Sequence, residues 1–425
     1  MSGLPRVCVG GPQRGTMRGM DILFLSPGYP AEMPLFVRGL AQVGARVWGV
    51  GDQAKEALPE EARRALAGYL PVKSLWDEEA TMASIQNWLG GRRPDKIECL
   101  WEPGMILAAK LRERLGVAGP TVAQTTPLRD KVEMKRVLEA AGVRVPRNGR
   151  ARTRQEVLTQ AERIGFPLIL KPVAGAGSDD TYEVRDQAQL EDALRATQHV
   201  PEIIVEEYIE GEEHTYDTVC ANGEVLFENV GWYRPKPLVA KLNHWISAQA
   251  LCLKDLDAPG PAKGRALGRA VIQALGIRDG FTHMEWFHTP KGEAVFGEIG
   301  GRPPGSRLVH VMNYACDADL FRAWAEATVH GRLAQPITKK YNAAVVFKRA
   351  HGPGQRIRAH EGLDRLLERH GEHVANLDLS PVGSARADWK KSQVGDGWLV
   401  VRHPDLGRTL ELADEFSNEL RVVAG

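Results

Sequence analysis

Cysteine is scarce in this chain of 425 residues: five thiols (Cys8, Cys99, Cys220, Cys252, Cys316), an odd number, and no C-x-x-C pair. That pattern supports neither a disulfide framework nor the common zinc spacings. It reads as reduced thiols in a cytoplasmic protein. Long hydrophobic runs are missing as well, and nothing approaches the ~20 residues that span a bilayer. The opening segment, 1–19, is basic and glycine-rich without the apolar stretch of a signal peptide. It reads as a disordered leader or an upstream start and is set apart from the fold. An excess of one charge is also lacking: Lys+Arg 55 against Asp+Glu 54 leave +1. The balance gives no general pull toward nucleic acid or an anionic membrane. No G-x-G-x-x-G follows the first strand pattern, so a Rossmann cofactor site is not indicated.

What is present is an ordinary globular composition, 43% hydrophobic and 26% charged, over a length that suggests two to three domains. Residues 21–26 form a short apolar strand pattern. Phe36, Leu40 and Val43 follow at helical spacing, Gly44 stops that helix, and 45–50 reads as the next strand. This βαβ unit implies parallel pairing. A further strand over 96–101 and a helix over 105–115 complete an α/β layer spanning 20–125. The next helix is expected to begin at a Thr126 cap with Pro127 in its first turn and to end at Gly142. From Phe166 the texture becomes antiparallel. Strands are expected at 167–172 and 181–184, a helix at 187–196 and a strand at 203–209. A hairpin turns at Asn222-Gly223, and a second turns at Pro290-Lys-Gly292. One long helix is expected over 306–329. Residues 126–335 therefore read as a two-lobed central domain, and 336–425 as a small β-rich appendage.

Three stretches carry chemistry. Lys171 ends a strand before a loop holding Gly175, Gly177 and Ser178. Backbone N–H groups and an ammonium in that arrangement suit a triphosphate; a surface lysine beside a glycine-rich loop is the plainer reading. The run Glu206-Glu-Tyr-Ile209, with Glu213 and Asp217 beyond it, offers main-chain groups to a base edge and a carboxylate to a sugar, or else is a solvated acidic face. Phe281-Thr-His-Met-Glu-Trp-Phe287 and Ala294-Val-Phe-Gly-Glu-Ile299 are apolar strands, each interrupted by one glutamate. Glu285 and Glu298 flank a hairpin turn, where pairing sets both carboxylates on one face. Two buried acids repel unless a cation lies between them or arginines pair them, and Arg302 stands just downstream. Oxygen ligands of this kind suit magnesium.

In this order (Asp130-Lys131 on a helix, Lys171, Glu206 to Ile209, Glu213 with Asp217, Glu285, and Glu298-x-x-x-Arg302) the chain resembles the ATP-grasp superfamily, in its carboxylate–amine ligase and biotin-carboxylase-like branch. The resemblance covers roughly 21–331. It implies an ATP-grasp fold, α/β with α+β character in the centre, behind a Rossmann-like N-terminal domain. It implies ATP on Lys131, Lys171 and the loop Gly175, Gly177, Ser178, with Glu206, the backbone of Glu207, Tyr208 and Ile209, and Glu213 around the base and ribose. Glu285 and Glu298 would hold Mg2+, or Mn2+ in its place, while Arg302 stabilises an acyl phosphate and Lys171 assists. Family members often carry Asn where this chain has Gly300. The activity implied is amide formation between a small carboxylate and an amine, with ADP and phosphate released. Alternatives are a bicarbonate-dependent carboxylase working through carboxyphosphate, for which no biotin-carrier segment is present, and a nucleotide-binding module without turnover. Arg307, His310, Trp232 and His244 are the candidates for contacting substrate. Similar proteins are commonly homodimers; nothing in this sequence fixes the assembly.

Overall fold

The computed structural model describes residues 19–174, 180–389, 392 and 394–425. The leader 1–18 and the expected phosphate-loop residues Gly175, Gly177 and Ser178 lie outside the described residues. The N-terminal layer is a four-stranded parallel sheet built on Asp21–Leu25, which pairs with Arg46–Gly51 and Lys96–Glu98. A central parallel strand has both faces covered and needs apolar residues at successive positions. Ile22, Leu23, Phe24 and Leu25 supply them, all fully buried. Helix Met33–Gln42 makes the crossover, with Gly44 beyond it in the left-handed region at φ 90°. Leu66–Pro71 completes the sheet as an edge strand. Its half-buried positions carry no clear period, and the sequence reading leaves it unmarked.

A small antiparallel sheet follows, in the order Asn148–Ala151, Ile203–Glu207, Leu168–Pro172, Tyr182–Val184. Helices Arg154–Ile164 and Gln187–Ala196 close its back through a separate apolar cluster around Leu168, Leu170 and Val205. The body of the molecule is an eight-stranded antiparallel sheet. Its order is Ala294–Gly300, Gly280–His288, Glu212–Ala221, Glu224–Arg234, Gln249–Cys252, Asn342–Lys348, Gly397–His403 and Val374–Leu379. Strands from the C-terminal part thus extend the same sheet as the central hairpins.

Two helix boundaries differ from expectation. The helix carrying Lys131 begins at Lys131 and not at Thr126, because the Asp130 carboxylate accepts the N–H groups of Val132 and Glu133, both at 3.0 Å. Thr126–Leu128 is a single tight turn ahead of it. The expected long helix is two, Leu308–Cys316 and Leu320–His330. Asp317 takes a left-handed conformation at φ 50°, and Asp319 caps the second helix by accepting from Phe321 and Arg322. These helices and Met33–Gln42 cover one face of the large sheet, and Pro259–Ala274 and Leu406–Glu419 the other. No helix among the described residues is long and apolar enough to cross a membrane.

Candidate active site

Cross-strand register assembles the site. Glu285 lies directly opposite Glu298 on one neighbour and Thr215 on the other, while His283 faces Asp217 and Gly300. Directly paired residues share a face, and alternation along Glu212–Ala221 adds Glu213 to it. Both hairpin acids therefore project from the same side of the sheet, as their position around the turn predicts. The small sheet meets them from above. Lys171 pairs with Ile204, two residues from Glu206, so lysine and glutamate share a face diagonally.

The charges interlock. Lys171 Nζ lies 3.1 Å from Glu206 and 3.7 Å from Glu298, and Lys131 Nζ lies 3.4 Å from Glu298. Lys135 is fully buried, 2.8 Å from the other oxygen of Glu206, and donates to the Gly297 carbonyl at 3.0 Å. Helical spacing alone sets Lys135 off the apolar stripe of Met134, Val137, Leu138 and Ala141. Burial alone would raise the Glu298 carboxyl, yet Lys131 and Lys171 hold it down at about 2. Burial pushes Glu213 up to about 8, helped by the negative charge of Glu285. Glu213, Glu285 and Glu298 thus face a common space. A divalent cation fits between them, and Glu285 and Glu298, directly opposite each other, are the oxygen donors placed to take it.

Behind the acids runs a second chain of contacts. His283 Nδ1 is 2.5 Å from Asp217, and its Nε2 is 3.7 Å from Glu285. Asp217 is fully buried and also accepts from Thr215 Oγ1 at 2.9 Å and Asn229 Nδ2 at 2.8 Å. Burial works against a charged imidazole here, but Asp217 raises His283 to about 9. Such outer partners orient a ligating carboxylate. Gly300 leaves room for Arg302, whose Cγ would stand 3.2 Å from any Cβ there.

Arg302 donates Nε to Glu102 at 2.6 Å and Nη1 to the Pro303 carbonyl at 3.0 Å. Glu102, itself buried, also pairs with Arg129. It comes from the N-terminal layer, 200 residues away in sequence, and the sequence reading misses it. The only signal available is an acid in the Trp101-Glu-Pro-Gly turn after a parallel strand.

The remaining expected residues divide. The Glu207 side chain binds Arg144 at 3.1 Å and its N–H donates to the Arg147 carbonyl at 2.8 Å, so that donor is committed within the fold. Tyr208 packs under the Lys236 ammonium, 5.0 Å from its ring centre, and Ile209 is buried. Trp232 does not join the acids. It pairs with His214 across the strands and stacks on it at 5.9 Å, on the opposite face, where burial pushes His214 down to about 4. Its neighbour Tyr233 takes the acid side, its hydroxyl pushed far above its usual range by burial and by Glu285. Strand alternation from Asp217 would have identified Tyr233. His244 is exposed beside Trp245 and Trp389. Arg307 and His310 form their own group: the Arg307 N–H donates to Glu32 at 3.1 Å, its guanidinium lies 5.8 Å from the Trp398 ring, and burial lowers His310 to about 4.

Known proteins share this fold. A family model described as an ATP-grasp domain matches residues 128–230. The structure of L-amino acid ligase from Bacillus licheniformis aligns with TM-score 0.76 at 19% identity, covering 96% of this chain and all of that one. The chain carries an ATP-grasp domain and has the ATP-grasp fold. N5-carboxyaminoimidazole ribonucleotide synthetase from Thermotoga maritima aligns with TM-score 0.71 at 18% identity, again over 96% of this chain and all of its own. In sequence, this chain is 27% identical over 243 residues to the L-arginine-specific L-amino acid ligase of Bacillus subtilis. That match spans 56% of this chain and only 58% of the relative's own length.

Proposed function

We propose that this chain is an ATP- and Mg2+-dependent ligase that activates a small carboxylate as an acyl phosphate and joins it to an amine, releasing ADP and phosphate. One observation carries the reading: Glu285 and Glu298 stand opposite each other on one face, with Lys131, Lys171 and Arg302 around them. Lys131 and Lys171 hold the phosphates. Glu206 keeps both Lys135 and Lys171 in place, and Glu213 reaches the ribose. Arg302, anchored by Glu102, neutralises charge on the acyl phosphate and on the oxyanion that forms when the amine attacks. Magnesium, held by Glu285 and Glu298, would supply charge neutralisation along the phosphate chain. Catalysis of this kind is positioning and electrostatics, with no covalent step by a side chain.

Amino acids are the substrate class, supported by the likeness to the B. subtilis ligase, which is named for L-arginine and L-amino acids. The deciding experiment measures ADP and phosphate release over pairs of amino acids, with products identified by mass spectrometry. Release that requires an amino acid pair and yields a dipeptide is the expected result. Release that needs bicarbonate and no amine would replace the reading with a carboxylase, and ATP binding without ADP across the whole panel would end it.

A further inference from the structure

The face of the large sheet turned away from the acid pair carries a second set of groups that the ligase chemistry does not use. Glu212 lies directly opposite His288, and His214, two residues further along the same strand, shares their face. One donor atom from each of the three lies within 4.8 Å of the others. We propose that Glu212, His214 and His288 bind a zinc-class divalent cation.

A cluster of side chains is not yet a site, and the observation that makes it one is the state of His214. Its Nδ1 lies 3.1 Å from the Gly231 carbonyl. A carbonyl only accepts, so Nδ1 carries the proton and Nε2 presents a lone pair. That Nε2 is buried without a hydrogen-bond partner, in a residue only 6% exposed. Glu212 stands 3.7 Å from it, beyond hydrogen-bonding reach. A buried polar atom left unmade costs about 1–3 kcal/mol. The ring has no freedom to escape that cost. It is stacked between Trp286 at 4.8 Å and Trp232 at 5.9 Å, with its plane within 24° of both. A histidine held through Nδ1 by a backbone carbonyl, with Nε2 open, is the usual arrangement of a metal-bound imidazole.

The donor set selects the ion. Two imidazoles and one carboxylate suit zinc and its neighbours, whereas magnesium and calcium prefer oxygen alone. Three protein ligands leave a fourth position for water or a small ligand. Glu212 and His288 both line a surface cavity with Tyr208 and Lys236, so that position opens outward. The site is independent of the ligase reading, because none of its three donors touches the acid pair.

The test titrates Co2+ into the metal-free full-length protein under saturating Mg2+, which fills the oxygen-only site. It follows visible absorption and the fluorescence of the flanking tryptophans. One Co2+ per chain is expected, with absorption of a nitrogen-ligated ion and displacement by Zn2+. His288→Gln and Glu212→Gln, whose side chains reach the surface, should each weaken binding at least about 10-fold, with unchanged circular dichroism, while Glu285→Gln leaves it alone. Absence of a nitrogen-ligated signal in the wild-type chain overturns the site. So does a signal that survives both His288→Gln and Glu212→Gln, or one that disappears with Glu285→Gln instead.

Discussion

The two faces of strand Gly280–His288 differ more than most neighbouring regions of this molecule, although they alternate residue by residue. Met284 and Trp286 are fully buried in an apolar cluster with Tyr216, Phe296 and Ile299. His283 and Glu285, interleaved with them, belong to a network of acids, lysines and Asp217. The dry face gains from every apolar atom removed from water. On the charged face, buried carboxylates repel and are kept only where lysines, or a cation, offset them. The contrast shows how a sheet can hold an energetically unfavourable cluster: the packing face of the same strands fixes the backbone on which the acids are mounted.

Adjacent residues should therefore fail in opposite ways. Met284→Ala removes a fully buried side chain and should cost about 2–5 kcal/mol in denaturant unfolding, with turnover per folded molecule nearly unchanged. Glu285→Gln should do the reverse. Turnover should fall by at least about 10- to 100-fold, as when partners of a metal site are lost. Its unfolding midpoint should hold or rise, since one repelling charge is gone. If Glu285→Gln destabilises as much as Met284→Ala, the acids are structural and the two faces are not functionally distinct. Next in size is Arg302→Ala, expected to lower kcat about 10²-fold, the range for one lost oxyanion donor. Near-normal turnover in that variant would remove Arg302 from the mechanism.

Glu102→Gln comes below these. The carboxylate that holds both Arg302 and Arg129 is expected to act through position alone, lowering kcat about 10-fold. Arg302→Lys should not preserve turnover either, because an ammonium cannot make both the contact to Glu102 and the contact to the Pro303 carbonyl. Glu102 also marks where the sequence stops being legible. Most of the parallel layer, both central hairpins and the shared face of Glu285 and Glu298 follow from local periodicity and turn chemistry, whereas the edge strand Leu66–Pro71 does not. The Asn222-Gly223 turn is one such case, with φ of 56° and 86°. Glu102 meets Arg302 across 200 residues, and no local pattern encodes that meeting. Lys135 illustrates a second limit. Its helical position is legible, but a lysine buried at 0% exposure contradicts every composition rule until its partner Glu206 is known. The break at Asp317 is a third, because either aspartate could have sat within a helix as a surface residue.

The smallest expected effect tests the alternation most directly. Trp232 is the larger and more conspicuous aromatic, and the sequence alone nominates it for substrate contact. In the fold it stacks on His214 behind the sheet, while Tyr233, one residue on, falls on the acid face. Trp232→Phe keeps a ring for His214 to stack on. It should shift kcat/KM by less than about two-fold, the scale of substitutions remote from a functional feature. Tyr233→Phe deletes only a hydroxyl, yet that hydroxyl faces the acids. Its effect should be the larger of the two and should appear in KM for the carboxylate substrate or for ATP. A steady-state comparison of the two variants decides between the readings. A larger loss from Trp232→Phe would mean that substrate approaches from the face carrying Glu212 and His288, and that the catalytic roles of the two faces must be exchanged.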